Sequence, residues 1–308
     1  LVVAFSGGAD STALLHVAQQ CWPHAVHAVH INHGLQAAAA DFERHCQQVC
    51  TTWGVPLWVV RPHIRVHPGD SLEAVAREHR YAALTDAARA VNASAVWLAH
   101  HADDQLETLL LALSRGAGVP GLAAMPSTWV VDGLPFGRPW LAVPGGALQV
   151  HVASHGLPHI EDPTNADLRF TRNRIRQRLL PVLREVFPSL TQTAARTARH
   201  CAQASRLLDA LAADDLQAVG EPPRLQALRT LPADRLANAL RLWLRRHSAQ
   251  GPSAAQLEQL MKQVLAATTR GHRLDLRVAQ GRVCRVGDGL KYIPDAGGVG
   301  GPEKTLPE

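Results

Sequence analysis

Among the residues able to do chemistry, the first group is Ser6-Gly7-Gly8-Ala9-Asp10-Ser11. It follows an apolar run, Val2–Phe5, and opens a helical pattern, Ser11–Gln20. Glycines let a backbone approach an anion and take torsions closed to other residues. Unpaired amides at a helix start point outward, and the helix dipole adds to their pull on phosphate. The Ser6 and Ser11 hydroxyls can donate further bonds. Asp10 would by itself repel phosphate, so a carboxylate here suits a Mg²⁺ held between the two. The plainer reading is a glycine turn with a capping Asp or Ser.

A second group is His100-His101-Ala102-Asp103-Asp104, with Glu107 following. Asp104 and Glu107 are three apart on a helical pattern and share a face, while Asp103 is placed to cap the helix. Two histidines and two carboxylates could also ligate a transition metal, as in a phosphohydrolase. Neighbouring histidines diverge, however, and the spacing shows no distant histidine ligand. Arg169, Arg172, Arg174, Arg176 and Arg178 crowd a third segment. Arg172 and Arg176 share a face just after Asp162–Asn165, which suits phosphate contact as well as a solvated helix face. His30 and His33 read as hydrogen-bonded loop histidines or as ligand contacts. Arg77 and Glu78 read as ligand contacts or as a surface ion pair.

These groups need elements to hold them. Val2–Phe5, Ala25–Ile31, Leu57–Val60 and Ala95–Ala99 read as strands. Helical spacing fills Ser11–Gln20, Ala37–Trp53 and Ser71–Val91, the last with Ser71 as N-cap. The alternation implies an α/β fold, a parallel sheet covered by helices, with ligands beyond the carboxyl ends of the strands. Gly116 to Pro163 is rich in Gly and Pro and reads as loops around short elements. A helix is expected from Thr171, broken or kinked at Pro181. Ser189 then caps a helix to about Gln217 with an apolar stripe of Ala194, Ala198, Cys201, Leu208 and Leu211. Past Glu221-Pro222-Pro223 come helices at Leu225–Arg246 and Ser253–Ala266 and a hairpin over 274–286. The expected division is a catalytic domain 1–187, a linker helix 188–220, a smaller mainly helical domain 221–294 and a flexible tail 295–308.

The chain has 308 residues, 46% of them hydrophobic and 19% charged, which is globular composition. No apolar run is long enough to span a bilayer. Five cysteines at irregular spacing, with no C-x-x-C, argue against a disulfide framework and for a reducing cytoplasm. The net charge is +5, and the first lysine is Lys262. Arginine therefore supplies nearly all the positive charge, from codon bias or from bidentate phosphate binding. No lysine before residue 262 can serve a Walker A loop.

Ser-Gly-Gly-x-Asp-Ser resembles the PP-loop of the N-type ATP pyrophosphatases, which split ATP into AMP and pyrophosphate on a Rossmann-like fold. Four more segments narrow the likeness: His30-Ile31-Asn32-His33-Gly34-Leu35, Ala76-Arg77-Glu78-His79-Arg80-Tyr81, Leu98–Thr108, and Glu161–Asn165 with Arg172-Asn173-Arg174-Ile175-Arg176. In this order the set resembles the tRNA(isoleucine)-lysidine synthetases over about residues 1–185. Residues 225–293 look like their first C-terminal domain by order and length. A second C-terminal domain of longer members has no room, which makes this a short form or a truncated chain.

The resemblance implies that L-lysine is joined to the wobble cytidine of an isoleucine tRNA with a CAU anticodon. ATP would lie on Ser6, Gly7, Gly8, Ala9, Asp10 and Ser11 with His30 and Asn32, and Mg²⁺ at Asp10. Asp10, Asp104 and Glu107 would be catalytic. Arg77, Glu78, Asp104 and Glu107 would recognise lysine, with His100 also binding substrate. Arg138, Arg172 and Arg176 would meet tRNA. Gln36 stands where a basic residue is common in the family. A homodimer is compatible with this reading, and no membrane is involved. Two other readings remain: a PP-loop tRNA thiolase, which would draw on cysteines such as Cys46 and Cys50, and a non-catalytic RNA-binding module.

Overall fold

Runs such as Val2-Val3-Ala4 form strands because β-branched side chains fit a sheet covered on both faces. The computed structural model describes residues 1–32, 39–62, 72–248, 251–269 and 272–295. His33, Gly34, Leu35, Gln36, the Ser71 cap and the tail after residue 295 lie outside the described residues. The chain divides into two compact units, Leu1–Ala202 and Gln203–Glu308.

In the first unit the elements run β1 (Val2–Ala4), α1 (Ala9–Cys21), β2 (His27–Ile31), α2 (Ala39–Trp53), β3 (Leu57–Val60), α3 (Leu72–Ala90), β4 (Val96–Trp97) and α4 (Ala102–Ser114). There follow α5 (Val119–Leu122), β5 (Thr128–Val131), β6 (Leu134–Gly137), α6 (Gly145–Ser154), α7 (Thr171–Arg174) and α8 (Leu180–Val186). The sheet order is β3-β2-β1-β4-β6-β5, parallel except where the edge strand β5 pairs with β6. Alternate side chains feed two cores. Val3, Phe5, Leu14 and Leu15 pack with Cys46 and Val49 on one side. On the other, Val2, Val29, Leu84, Ala88, Val96 and Phe136 pack together. The chain leaves β1 toward β2 and β3 and later returns to its other flank as β4. The strand order thus reverses between β1 and β4, the place where such sheets open a ligand crevice.

Two features refine the sequence reading. Residues 128–137, within the stretch read as loops around short elements, form the β5–β6 hairpin, whose Asp132-Gly133 turn has φ of 48° and 79°. Asp-Gly between apolar runs is a strong hairpin signal, here masked by the Gly/Pro content around it. The break expected at Pro181 is a π-helical stretch, Ile175–Leu179, between α7 and α8. Proline has no N–H to donate and crowds the preceding turn, and a wider turn accommodates both.

The division between units falls inside α9 (Leu190–Val219). Leu208 and Leu211, expected on its apolar stripe, are exposed. Ala194 and Ala198 are buried in the first unit, and Ala212, Leu216 and Val219 in the second. Each stretch of the helix serves its own core, so no single stripe runs its length. The second unit continues with α10 (Leu225–Leu228), α11 (Ala233–His247) and α12 (Ala254–Ala266). The helix expected over Leu225–Arg246 is thus two, parted before Pro232. Ser253 and Gln256 form a capping box on α12. The expected hairpin gains a third strand: β7 (Asp275–Val278), β8 (Gly281–Val286) and β9 (Gly289–Pro294) form an antiparallel sheet.

Leu14 is buried on α1 directly behind the glycine loop. Leu14→Ala is expected to lower unfolding free energy by about 2–5 kcal/mol, read as a lower urea midpoint. An unchanged midpoint would contradict this packing.

Candidate active site

The glycine loop joins β1 to α1, with Gly8 as N-cap. Gly7 has φ of 85°, and a Cβ there would lie 3.0 Å from Cys46 Sγ. Both the torsion and the space require glycine. The Ser11 hydroxyl lies 3.0 Å from the Ser6 hydroxyl, receives the Ser6 amide and donates to the Gly8 carbonyl. Thr12, absent from the expected set, donates to the Gly8 carbonyl at 2.9 Å. The loop is therefore braced from within. It floors a cleft of about 1110 Å³ that also takes in His30, Asn32, Arg80, His100, Asp104 and Arg176. Ala9 and Asp10 line it with Ser6, Gly8 and Ser11.

At the end of β4 three carboxylates surround one imidazole. His101 Nε2 is 3.5 Å from Asp10 Oδ2 and 3.5 Å from Asp104 Oδ2, and Nδ1 is 3.8 Å from Asp103 Oδ2. Burial pushes the His101 pKa down, but the contact with Asp10 and the charges of Asp104, Asp10 and Asp103 outweigh it and hold it above the usual value. The N-cap of α4 is His101, correcting the assignment of that role to Asp103. Its Nδ1 accepts from the Asp103 amide, and Asp104 accepts from the His101 amide at 3.0 Å. Asp103 is instead a structural anchor. It accepts from the Gly145 amide at 2.9 Å, from Thr191 at 3.0 Å and from Arg184 at 2.9 Å. Burial opposes its ionisation, but these donors outweigh burial and hold its pKa below the usual range. The Oδ1 atom of Asp10 is buried with no hydrogen-bond partner. A lone acceptor beside a phosphate-shaped loop fits a Mg²⁺, which binds through one or two carboxylates plus phosphate oxygens. Among the described residues no three His, Cys, Asp or Glu side chains converge as a set able to hold a metal.

Glu107 is 0% exposed. Its carboxylate takes a bidentate bond from Arg176, with Nε at 2.7 Å and the second nitrogen at 3.1 Å, and Arg176 also reaches Asp104 at 3.2 Å. Burial raises the Glu107 pKa and Arg176 pulls against it. Burial likewise opposes the charge on Arg176, but Glu107 prevails and raises its pKa. The fork geometry is that of a carboxylate with a guanidinium, so the pair is ionic while Arg176 is in place. Arg172 donates to the Thr108 hydroxyl at 3.1 Å. Arg172 and Arg176 thus engage α4, and Arg176, like Arg174 and Arg178 on the same segment, keeps part of its side chain exposed.

His100 and Arg138 form a separate brace. Arg138 is 5% exposed, donates to His100 Nδ1, the Pro126 carbonyl and the Tyr81 hydroxyl, and lies 3.9 Å over the Trp129 ring. Its expected contact with tRNA does not fit that burial. Desolvation, with the charges of Arg138 and its neighbours, pushes His100 down to about 3. His30 is buried, with Nδ1 3.0 Å from the Phe5 carbonyl, and Asn32 donates to Glu43 at 2.9 Å. Arg77 and Glu78 are exposed on α3, and the α3 residue that lines the cleft is Arg80. Across the cleft Ile160 donates to the Gly7 carbonyl at 2.9 Å. Asn173 holds the loop that follows by donating to the Thr164 and Asp167 carbonyls. Thr164 in turn donates twice to Asp162.

Comparison with known proteins identifies the family of the chain. The PP-loop domain family matches residues 1–183, and the TilS substrate binding domain family matches residues 224–290. A tRNA(Ile)-lysidine synthase of Polaromonas naphthalenivorans is 54% identical over 95% of this chain and 89% of its own length. The synthase of Coxiella burnetii is 42% identical over 86% of this chain, and that of Burkholderia pseudomallei 40% identical over 87%. The chain spans 60% and 56% of the lengths of those two. In fold it is similar to the U34-tRNA thiolase NcsA from Methanococcus maripaludis, with TM-score 0.56, 14% identity, and coverage of 65% of this chain and 71% of that one.

Two outcomes test this geometry. A Cβ on Gly145 would lie 2.7 Å from Asp103 Oδ2 and 2.9 Å from His101 Cε1. Gly145→Ala is therefore expected to destabilise by about 1–3 kcal/mol, and a thermal midpoint equal to the parent's would contradict it. His100 is neutral in the fold until about pH 3, while in the unfolded chain it protonates near 6.5. The unfolded state then binds more protons between those values. His100 thus costs stability as pH falls through that window, by up to about 1.4 kcal/mol per unit. Urea midpoints should drop less from pH 7 to pH 5 in His100→Asn than in the parent, and equal drops would contradict the buried neutral ring.

Proposed function

Because the chain belongs to the PP-loop family of tRNA(Ile)-lysidine synthases, we propose that it ligates L-lysine to the wobble cytidine of a CAU-anticodon isoleucine tRNA. The cytosine 2-carbonyl oxygen attacks the α-phosphorus of ATP, giving an adenylated base and pyrophosphate. The lysine amine then displaces AMP. The carrying observation is the braced glycine loop facing a buried, unpartnered Asp10 oxygen across the same cleft as Asp104.

The first step gathers negative charge on phosphate. Amides at the start of α1 and the Ser6 and Ser11 hydroxyls are the preset dipoles there. Asp10 would hold a Mg²⁺, which when bound would withdraw charge from phosphate oxygens. His30 and Asn32, at the end of β2 and lining the cleft, would contact the nucleotide. The second step needs a neutral amine, although free lysine with pKa about 10.4 is mostly protonated. Asp104 is the carboxylate suited to hold the ammonium and take its proton, because it lines the cleft and meets Arg176 through one bond, whereas Glu107 is fully buried under a bidentate one. Glu107 takes part only if Arg176 withdraws. Arg77, Glu78 and His100 remain candidates around the amino acid, with Arg80 beside them in the cleft.

Arg174 and Arg178, exposed beside the cleft loop, suit tRNA phosphates better than Arg172 and Arg176, which are engaged on α4. Within this reading residues 1–187 do the chemistry, residues 188–220 link, and residues 221–294 hold tRNA. Its setting is the cytoplasm, and among the described residues no helix is long and apolar enough to cross a membrane. Against thiolation, Cys46 and Cys50 are buried, and burial pushes both thiols up to about 12. Such thiols are not the nucleophiles that sulfur transfer needs.

Mass spectrometry of isoleucine tRNA incubated with the protein, ATP and lysine should show one lysine added per wobble cytidine. Asp10→Ala should lower the rate by about 10²–10³-fold. Incorporation by that variant at the parent rate would remove Asp10 from the mechanism, and no incorporation by the parent would overturn the proposed function.

A further inference from the structure

His101 is 8% exposed, central to the carboxylate cluster, and has no role in the steps above. Its two nitrogens face different tasks. Nδ1 accepts a hydrogen bond from the Asp103 amide at 3.2 Å. An accepting nitrogen carries no proton, so the single ring proton is on Nε2. That nitrogen is equidistant, at 3.5 Å, from Asp10 Oδ2 on α1 and Asp104 Oδ2 on α4. The ring is wedged in place, since Gly145 leaves less than a methyl group's space against it. Asp10 therefore presents one oxygen to an N–H and keeps the other, Oδ1, without a partner.

We propose that His101 is a positioning residue whose Nε2–H, shared by Asp10 and Asp104, turns the Asp10 carboxylate so that Oδ1 is offered to the divalent cation of the nucleotide site. This rests on the proposed function only for the identity of the reaction. The positioning itself concerns cation binding with nucleotide, before tRNA or lysine is needed. Removing the N–H would leave two carboxylates facing each other and free Asp10 to rotate. A cap on α4 would not restore the bridge.

The two jobs of His101 separate by substitution. In His101→Asn the amide oxygen can stand near Nδ1 and keep the cap, but the side chain stops short of Asp10. In His101→Gln the amide nitrogen can stand near Nε2 and keep the bridge, but the cap is lost. Binding of Mn²⁺, a paramagnetic stand-in for Mg²⁺, is followed by electron paramagnetic resonance with a non-hydrolysable ATP analogue present. Thermal midpoints are measured on the same samples. His101→Asn should melt near the parent yet bind Mn²⁺ about 10–100-fold more weakly, the usual loss when a ligand's orienting partner is removed. His101→Gln should melt lower and recover most of the Mn²⁺ affinity. Parent-like Mn²⁺ affinity in His101→Asn, or equal losses in both variants, would overturn the assignment. If the parent bound Mn²⁺ in this pattern but left tRNA unmodified, the lysidine reading would fail and the role of His101 would stand.

Discussion

Everything at the cleft answers to one constraint: three carboxylates crowd a single buried imidazole, none more than 3.8 Å from it. Like charges 4 Å apart repel by about 4 kcal/mol at an effective dielectric near 20, so such a cluster persists only if each member has its own donors. Asp103 has the Gly145 amide, Thr191 and Arg184. Asp104 has the His101 amide and Arg176. Asp10 has the His101 ring and one oxygen left over. The donors are shared unequally: Asp103 ties helices together, Asp104 is held by α4 and Arg176, and Asp10 keeps one oxygen unpartnered.

The same logic extends along α4. Glu107 has no solvent and depends on Arg176 for its charge, because burial alone raises its pKa. Arg176 comes from the stretch where Pro181 forces a π-helical turn, so a backbone irregularity sets where that guanidinium lands. Asn173 pins the adjoining loop, coupling the arginine segment to the turn that lines the cleft. The site thus has two halves, the glycine loop on α1 and the carboxylates of α4, with the histidine between them.

Much of this was legible in the sequence where chemistry and local backbone needs coincide. The glycine loop was clear because Gly7 must adopt a torsion other residues avoid, and the first four strands because a sheet buried on both faces tolerates continuous apolar runs. Asp10, Asp104 and Glu107 were singled out by type and spacing; Asp10 and Asp104 line one cleft, while Glu107 is buried behind Arg176. What escaped was tertiary. No local signal shows that Arg176 closes on Glu107, that Arg138 is buried against Trp129, or that Arg80 rather than Arg77 lines the cleft. His101 was weighed only as a metal ligand, since its cap and bridge depend on which way each nitrogen points. The Asp132-Gly133 hairpin had a local signal that the surrounding glycines and prolines obscured.

The central claim is that the base oxygen attacks the α-phosphorus and leaves with AMP. It is tested most directly with a transcript carrying ¹⁸O at the 2-position of the wobble cytosine, incubated with the protein, ATP and lysine. The mechanism predicts that the heavy oxygen appears in AMP in step with lysine addition. Label released as water, or nucleotide product in the form of ADP and orthophosphate, would contradict it.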